Sequence, residues 1–185
     1  GNPLLISPDW LIEDELVKTG DVAAGPFPVA AVDFEAVKRF KQALHERAWK
    51  NFCAGARSDL RPAFEHFSRE QAHWLDDYAL FRALKTRYDE AAYLDWPDDM
   101  VRRTPAALDQ ARGELKDQID QIRFGQFVLF RQGERLKAHA RARGIRLIGD
   151  LPFFVSPDSS DVWASPELFL LDVNSRPRVV AGVPP

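Results

Sequence analysis

The run Gly144-Ile145-Arg146-Leu147-Ile148-Gly149-Asp150 constrains this chain more than any other. It follows a helical stripe that Gly144 can end as a left-handed cap, and Ile145 to Asp150 is a short β-branched run of the buried-strand kind. Helix, glycine, strand and then an acid make an α/β unit. In a parallel α/β fold, a carboxylate placed where a buried strand ends stands at the face where active sites collect. Asp150 is therefore the first candidate functional residue. The plainer alternative is that it caps the turn after the strand.

Most of the remaining chain has a helical period. Ser7 with Pro8 behind it starts a helix expected to reach about Lys18, and Gly25-Pro26-Phe27-Pro28 marks an irregular connection. Asp33 can cap a helix from Phe34 to about Trp49, with Val32 and Val37 as a hydrophobic staple and Val37, Phe40, Leu44 and Ala48 as its buried face. Arg57 to Pro62 interrupts the pattern. Ser68 followed by Gln71 reads as a capping box ahead of Leu75, Tyr78, Ala79 and Arg82, with a helix to about Thr86 that Trp96-Pro97 closes off. Thr104-Pro105 restarts a stripe of Leu108, Leu115, Ile119, Ile122, Phe127, Phe130 and Leu136 to about Arg143. Gly113, Gly125 and Gly133 each cost about 1 kcal/mol in a helix interior, which leaves one long helix or two with a break open.

Composition removes whole classes of function. The 185 residues are 45% hydrophobic and 29% charged, the balance of a soluble globular protein with a sizeable core. The net charge of -3 gives no basic excess for nucleic acid. The longest strongly apolar run, Leu147 to Val155, is broken by Gly149, Asp150 and Pro152 and falls short of the roughly 20 residues that span a bilayer. Cys53, the single cysteine, sits between Phe52 and Ala54, which predicts a buried thiol in a reducing, cytoplasmic setting. His45, His66, His73 and His139 have no metal-ligand spacing, so neither a metal nor a cofactor is expected. No phosphate loop or nucleophile elbow is present.

Two aromatic groups remain ambiguous. Asp158, Ser159, Ser160, Asp161 and Trp163 form a polar, aromatic, proline-bracketed stretch that suits sugar hydroxyls and sugar faces, or else an ordinary loop with one core tryptophan. Trp74, Tyr78 and Phe81 at helical spacing read as core more readily than as a ligand platform.

Several separated motifs occur in one order: Gly1-Asn2-Pro3-Leu4-Leu5-Ile6-Ser7, Trp74-Leu75-Asp76-Asp77-Tyr78-Ala79-Leu80-Phe81, Trp96-Pro97, Phe124 and Gln126 to Arg131, Gly149-Asp150-Leu151-Pro152-Phe153-Phe154-Val155, Asp158-Ser159-Ser160-Asp161-Val162-Trp163, and Val180-Ala181-Gly182-Val183-Pro184-Pro185. With these the chain resembles the amylomaltases, the 4-α-glucanotransferases of glycoside hydrolase family 77, over essentially its whole length. The resemblance implies an α/β fold, part of a (β/α)8 TIM barrel with a predominantly helical inserted subdomain. A whole barrel needs about 250 residues, so only its first part fits here. The division it implies is an early barrel segment over 1–60, a helical insertion over 61–115, and a barrel helix, strand and active-site-face loops over 116–185. Gly1 in place of a methionine and the closing Val183-Pro184-Pro185 add the expectation of a piece of a longer chain.

The resemblance also implies the chemistry: transfer of α-1,4-glucan segments between maltooligosaccharides or starch- and glycogen-type glucans, by double displacement with retention. The nucleophilic aspartate and the general-acid glutamate, about 5 to 5.5 Å apart in retaining enzymes, fall in family positions beyond Pro185. The family's serine and tyrosine on the donor sugar precede Gly1. Asp150 matches the family's aspartate at the end of the third barrel strand, beside the donor sugar, and is assigned positioning. Gly182, Val183, Pro184 and Pro185 match the start of the loop over the acceptor side, which excludes water and favours a glucan acceptor. Gly133 departs from the pattern, which has a bulky aromatic there. The isolated chain is expected to be inactive, with an α-1,4-glucan as the parent's partner and no preference among oligomeric states. The rival reading is a non-catalytic helical interaction or carbohydrate-binding module. A third is an excised folding unit whose unpaired strand edges favour self-association.

Overall fold

Helices satisfy their own backbone hydrogen bonds, and the described chain is built almost wholly from them. The computed structural model describes residues 1–22, 27–28, 30–150 and 154–179. Its α-helices are α1 (Pro8–Glu13), α2 (Phe34–Cys53), α3 (Arg61–Glu70), α4 (Ala72–Arg87), α5 (Asp98–Val101), α6 (Pro105–Glu114), α7 (Lys116–Ala142) and α8 (Ser160–Ala164). The contacts divide the chain into two compact units, one of residues 1–70 and 123–147, the other of residues 71–122 and 148–185.

The first unit is closed by aromatic rings from α2, α3 and α7. Phe52 stacks on Phe124 at 4.7 Å and meets Phe64 edge-on at 5.7 Å, while Trp49 lies 5.5 Å from Phe124. Each such ring contributes on the order of 2–3 kcal/mol by leaving water, with about 0.5–1.5 kcal/mol more for well-placed ring pairs. Leu11, Leu16, Val17, Leu44 and Ala48 complete this core. Buried Gln132 of α7 ties down the start of α1, accepting the Ser7 N–H at 2.7 Å and donating to the Ser7 carbonyl at 3.3 Å.

In the second unit α4 is buried on most sides through Leu75, Ala79, Leu80, Phe81, Ala83 and Leu84. Around it lie Ala107, Leu108 and Ala111 of α6, Leu115 and Ile119, and Val162 and Trp163 of α8. Phe81 belongs to this core, as its helical spacing suggests, while Trp74 and Tyr78 are half-buried with their rings 6.0 Å apart.

Helix starts follow the sequence better than helix ends. Ser7 accepts from Trp10 N–H and Asp33 from Ala36 N–H, as capping predicts. Gly144, at φ 69°, closes α7, with the Gly144 N–H on Arg141 O and the Ile145 N–H on Ala140 O. α1, however, stops at Glu13 and not near Lys18. Glu15 takes φ 55°, and the N–H groups of Glu15 and Leu16 turn back onto Ile12 and Leu11, which swings Leu16 and Val17 into the core. The Val32 staple is not made, since Val32 is 64% exposed. Ser68 caps nothing: it lies inside α3 and donates to Phe64 O, and Gln71 occupies the position before α4 without a side-chain cap. The stripe from Thr104 is two helices, α6 and α7, broken at Leu115.

Two further expectations are corrected. Cys53 is exposed, because the last turn of α2 gives its inward position to Phe52. The α/β class fails for the described residues: no strand forms, and Leu171 with Pro177 makes an isolated antiparallel bridge. Residues 145–150 are exposed along their length, with Ile148 at 96%. A parallel strand takes its hydrogen bonds and its burial from neighbouring strands, and none is present here.

One polar group in the first unit is poorly served. His45 of α2 has its Nε2 buried without a partner, and burial, aided by the Lys41 ammonium one turn away, lowers its pKa from 6.5 to about 4. The folded state then refuses a proton that the unfolded chain takes up below pH 6.5, so stability is full above 6.5 and declines toward pH 4. Between pH 7 and 5 this costs about 2 kcal/mol. Urea unfolding at the two pH values should show that loss, and His45→Leu should flatten it; an unchanged slope in the variant would assign the loss to other groups.

Candidate functional site

Asp150 closes the extended run after Gly144 and is open to solvent. The residues right after it, Leu151 to Phe153, lie outside the described residues, as do Gly182, Val183, Pro184 and Pro185. Phe154 and Val155 are exposed, and Asp158 is fastened to the end of α4.

That fastening rests on Lys85, in the last turn of α4. Its ammonium has three donors, and each finds an oxygen at 2.7 Å: Glu90 O, Ala91 O and Asp158 Oδ2. The Lys85 side chain is 7% exposed and that of Asp158 37%, so the pair is partly desolvated and its charge is met on every side. The second Asp158 oxygen accepts the Tyr93 N–H at 3.1 Å. Burial, then the nearby Asp158 charge, pushes the Tyr93 phenol above its usual range.

The two carbonyls reach Lys85 because the end of α4 turns sharply. Asp89 and Glu90 both adopt left-handed backbone, at φ 51° and 60°, and the Glu90 N–H returns to Lys85 O at 2.7 Å. Non-glycine residues adopt this conformation at a cost of about 1–2 kcal/mol each.

Ser159 then caps α8 by accepting the Val162 N–H, and Trp163 drops into the core at 1% exposure. Its indole N–H donates to Met100 O at 2.9 Å, and its ring lies 5.7 Å from Phe81 and 5.9 Å from Trp96. The Arg103 guanidinium covers the ring at 4.2 Å while holding Asp77 at 2.7 Å. Of the loop read as a sugar grip, Trp163 is therefore core and Asp158 an anchor. Asp161 remains on the surface. Lys85 was not singled out from the sequence, although a lysine closing the apolar run Ala79-Leu80-Phe81-Arg82-Ala83-Leu84 was the available signal.

Among the described residues no group of three or more His, Cys, Asp and Glu side chains could hold a metal ion, and no helix is long and apolar enough to cross a membrane. What is present is an exposed carboxylate, an extended segment, and a buried ionic anchor seated on an aromatic core.

The profile of the 4-alpha-glucanotransferase family matches residues 1–185. The chain belongs to this family. Over 185 residues it is 42% identical to a 4-alpha-glucanotransferase of Aquifex aeolicus and to one of Thermus thermophilus, matching all of this chain and 36% of each relative. An amylomaltase from Streptococcus agalactiae, solved in complex with acarbose, superposes with a TM-score of 0.91 at 33% identity, over all of this chain and 37% of that one. The 4-alpha-glucanotransferase segment described here thus spans little more than a third of the length of its relatives.

Within that segment, Trp163 and Asp150 should respond oppositely to substitution. Trp163→Ala should cost about 3–5 kcal/mol, from lost burial and the cavity left behind. Asp150→Asn, at an exposed position, should stay within about 0.5 kcal/mol. Denaturant unfolding of both variants checks this, and a large loss for Asp150→Asn would make Asp150 a structural cap.

Proposed function

We propose that the complete protein is a 4-α-glucanotransferase that moves α-1,4-glucan segments between maltooligosaccharides or starch- and glycogen-type glucans. The family match over residues 1–185 carries this reading, and the likeness to an amylomaltase holding acarbose supports a glucan in the cleft. Ile145 to Asp150 becomes a barrel strand once neighbouring strands are present to pair with it, which accounts for a run of β-branched and leucine side chains left in solvent here.

In this reading Asp150 stands at the strand's carboxyl end and hydrogen-bonds the donor sugar, holding the ring for attack by a nucleophile supplied beyond Pro185. A carboxylate suits that task because it can accept from two adjacent hydroxyls at once. Residues 182–185 begin the loop that shields the acceptor side from water, so that a sugar hydroxyl and not water resolves the glucosyl-enzyme. The reaction needs no cofactor. A cytoplasmic setting, expected from the low cysteine content of this stretch, belongs to the same reading.

Glucose release and ladder formation from maltotriose should appear with a protein of full family length containing these residues, and not with residues 1–185 alone. Disproportionation by the 185-residue chain would overturn the placement of the catalytic carboxylates beyond Pro185. Silence from both would remove the transferase reading. Asp150→Ala in the long protein should lower kcat/KM about 10- to 100-fold, the effect of one lost charge-assisted contact in the transition state; unchanged kinetics in a folded variant would remove its contact with the sugar.

A further inference from the structure

We propose that the cleft between α1 and α7 in the first unit is a sugar-binding site that takes one glucosyl ring of a glucan. The choice of glucose as the sugar rests on the transferase reading given above, whereas the case for a neutral polyhydroxyl ligand rests on the cleft alone.

The cleft has a volume of about 250 Å³ and is lined by Asp14, Arg131, Gln132 and Arg135. Sites for drug-sized ligands run from about 300 to 1,000 Å³, so this one suits a single ring. Its lining is fixed before any ligand arrives. Gln132 is 6% exposed, with both ends of its amide held by the Ser7 backbone. Asp14, its side chain 14% exposed, accepts from Arg131 Nη2 at 2.7 Å and from Arg131 Nε at 3.4 Å, and the Asp14 carbonyl accepts from Arg57 Nη1 at 3.2 Å. Arg135 donates to Glu13, and its guanidinium lies 4.3 Å from the centre of the Trp10 ring. Side chains held in this way lose little freedom on binding, which is what a small ligand with few contacts requires.

The groups on offer decide the ligand. A guanidinium carries five N–H donors. Arg131 directs its Nε and Nη2 to Asp14, and Arg135 its Nη2 to Glu13, so donors remain on both, one helical turn apart on α7. The Asp14 carboxylate beside them has lone pairs for further donors. Charge is balanced: Glu13, Asp14 and Asp59 meet Arg135, Arg131 and Arg57, and Glu15 adds a negative charge near Arg57. An anion would give up its water for no net counter-charge, and a metal cation would meet two guanidinium groups. A neutral ring with hydroxyls on adjacent carbons meets both demands, accepting from a guanidinium at one hydroxyl and donating to the carboxylate at the next. Trp10, half-buried under Arg135, is placed to register a ligand seated on that guanidinium.

The test is fluorine NMR of the protein of full family length labelled with fluorotryptophan, the Trp10 resonance being assigned with Trp10→Phe. Glucose should shift the Trp10 signal saturably, with a Kd on the order of 1–10 mM for so small a ligand, and inorganic phosphate should leave it in place. Arg135→Met keeps a stem over the ring and removes the donors; Arg131→Met removes those beside Asp14. Each should weaken glucose binding at Trp10 about 10-fold, the effect of one lost charge-assisted contact. A Trp10 signal unmoved by glucose in the unsubstituted protein would overturn the proposal, whether or not either variant folds. So would a shift with phosphate in place of glucose, which makes the cleft an anion site, or unchanged glucose affinity in both folded variants. The readout needs no turnover, so silence on maltotriose, which removes the transferase reading, and silence at Trp10 are separate results.

Discussion

Every buried backbone N–H and C=O must find a partner, and this constraint sorts the chain into what folds by itself and what does not. A helix meets the requirement within its own residues. A strand meets it only through a neighbour. Residues 34–142 can therefore be assembled from helices α2 to α7 and their turns, which contribute apolar faces to two cores. The run after Gly144 has the side chains of a buried strand and, among the described residues, no strand to pair with, so Ile145, Leu147 and Ile148 remain in solvent. The amylomaltase that the chain superposes on is covered over 37% of its own length.

The same constraint governs helix ends, where the last carbonyls need donors. α1, α2, α4, α5 and α7 all close by turning two N–H groups back onto the final turn through a left-handed residue, followed at α4 by a second, Glu90. At α2 and α7 that residue is Gly55 or Gly144, and Gly144 was legible as a cap from the sequence. At α1, α4 and α5 it is Glu15, Asp89 or Arg103, of which only the aspartate has any propensity for that conformation. Tertiary burial decides these ends: Leu16 is drawn inward after Glu15, and Lys85 collects carbonyls after Asp89. That is why the start of α2 was predicted well while the end of α1 was placed too late. Ser68 shows the reverse error, since a capping-box pattern carries no weight once α3 has already begun at Arg61.

Legibility of the site followed the same division. Asp150 stands out in the sequence because its signal is local: a glycine, a β-branched run and an acid at its end. The roles of Asp158 and Trp163 do not, because both are set by residues distant in the chain. Trp163 looks like a sugar platform among serines and aspartates, yet its indole N–H has Met100 O as a buried partner and its ring has Phe81 and Trp96. An aromatic side chain with a satisfied polar end and rings around it gains more in a core than on a surface. Cys53 inverts the case: apolar neighbours in sequence are not apolar neighbours in space, since adjacent helical residues point about 100° apart.

Lys85 shows what ionic anchoring supplies that the core cannot. Apolar contacts are nearly isotropic, so the cluster around Trp163 would tolerate small rotations of α8 against α4 at little cost. An ammonium with three acceptors at fixed angles does not, because any displacement leaves a donor or a carboxylate oxygen unmet in a partly desolvated place. The left-handed turn at Asp89 and Glu90 is the cost of presenting those acceptors, and a core of leucine and tryptophan next to it makes that cost bearable. Stability and register thus come from different side chains in the same unit: the aromatic cluster holds α8 down, and the partly desolvated ion pair fixes Asp158 against the end of α4.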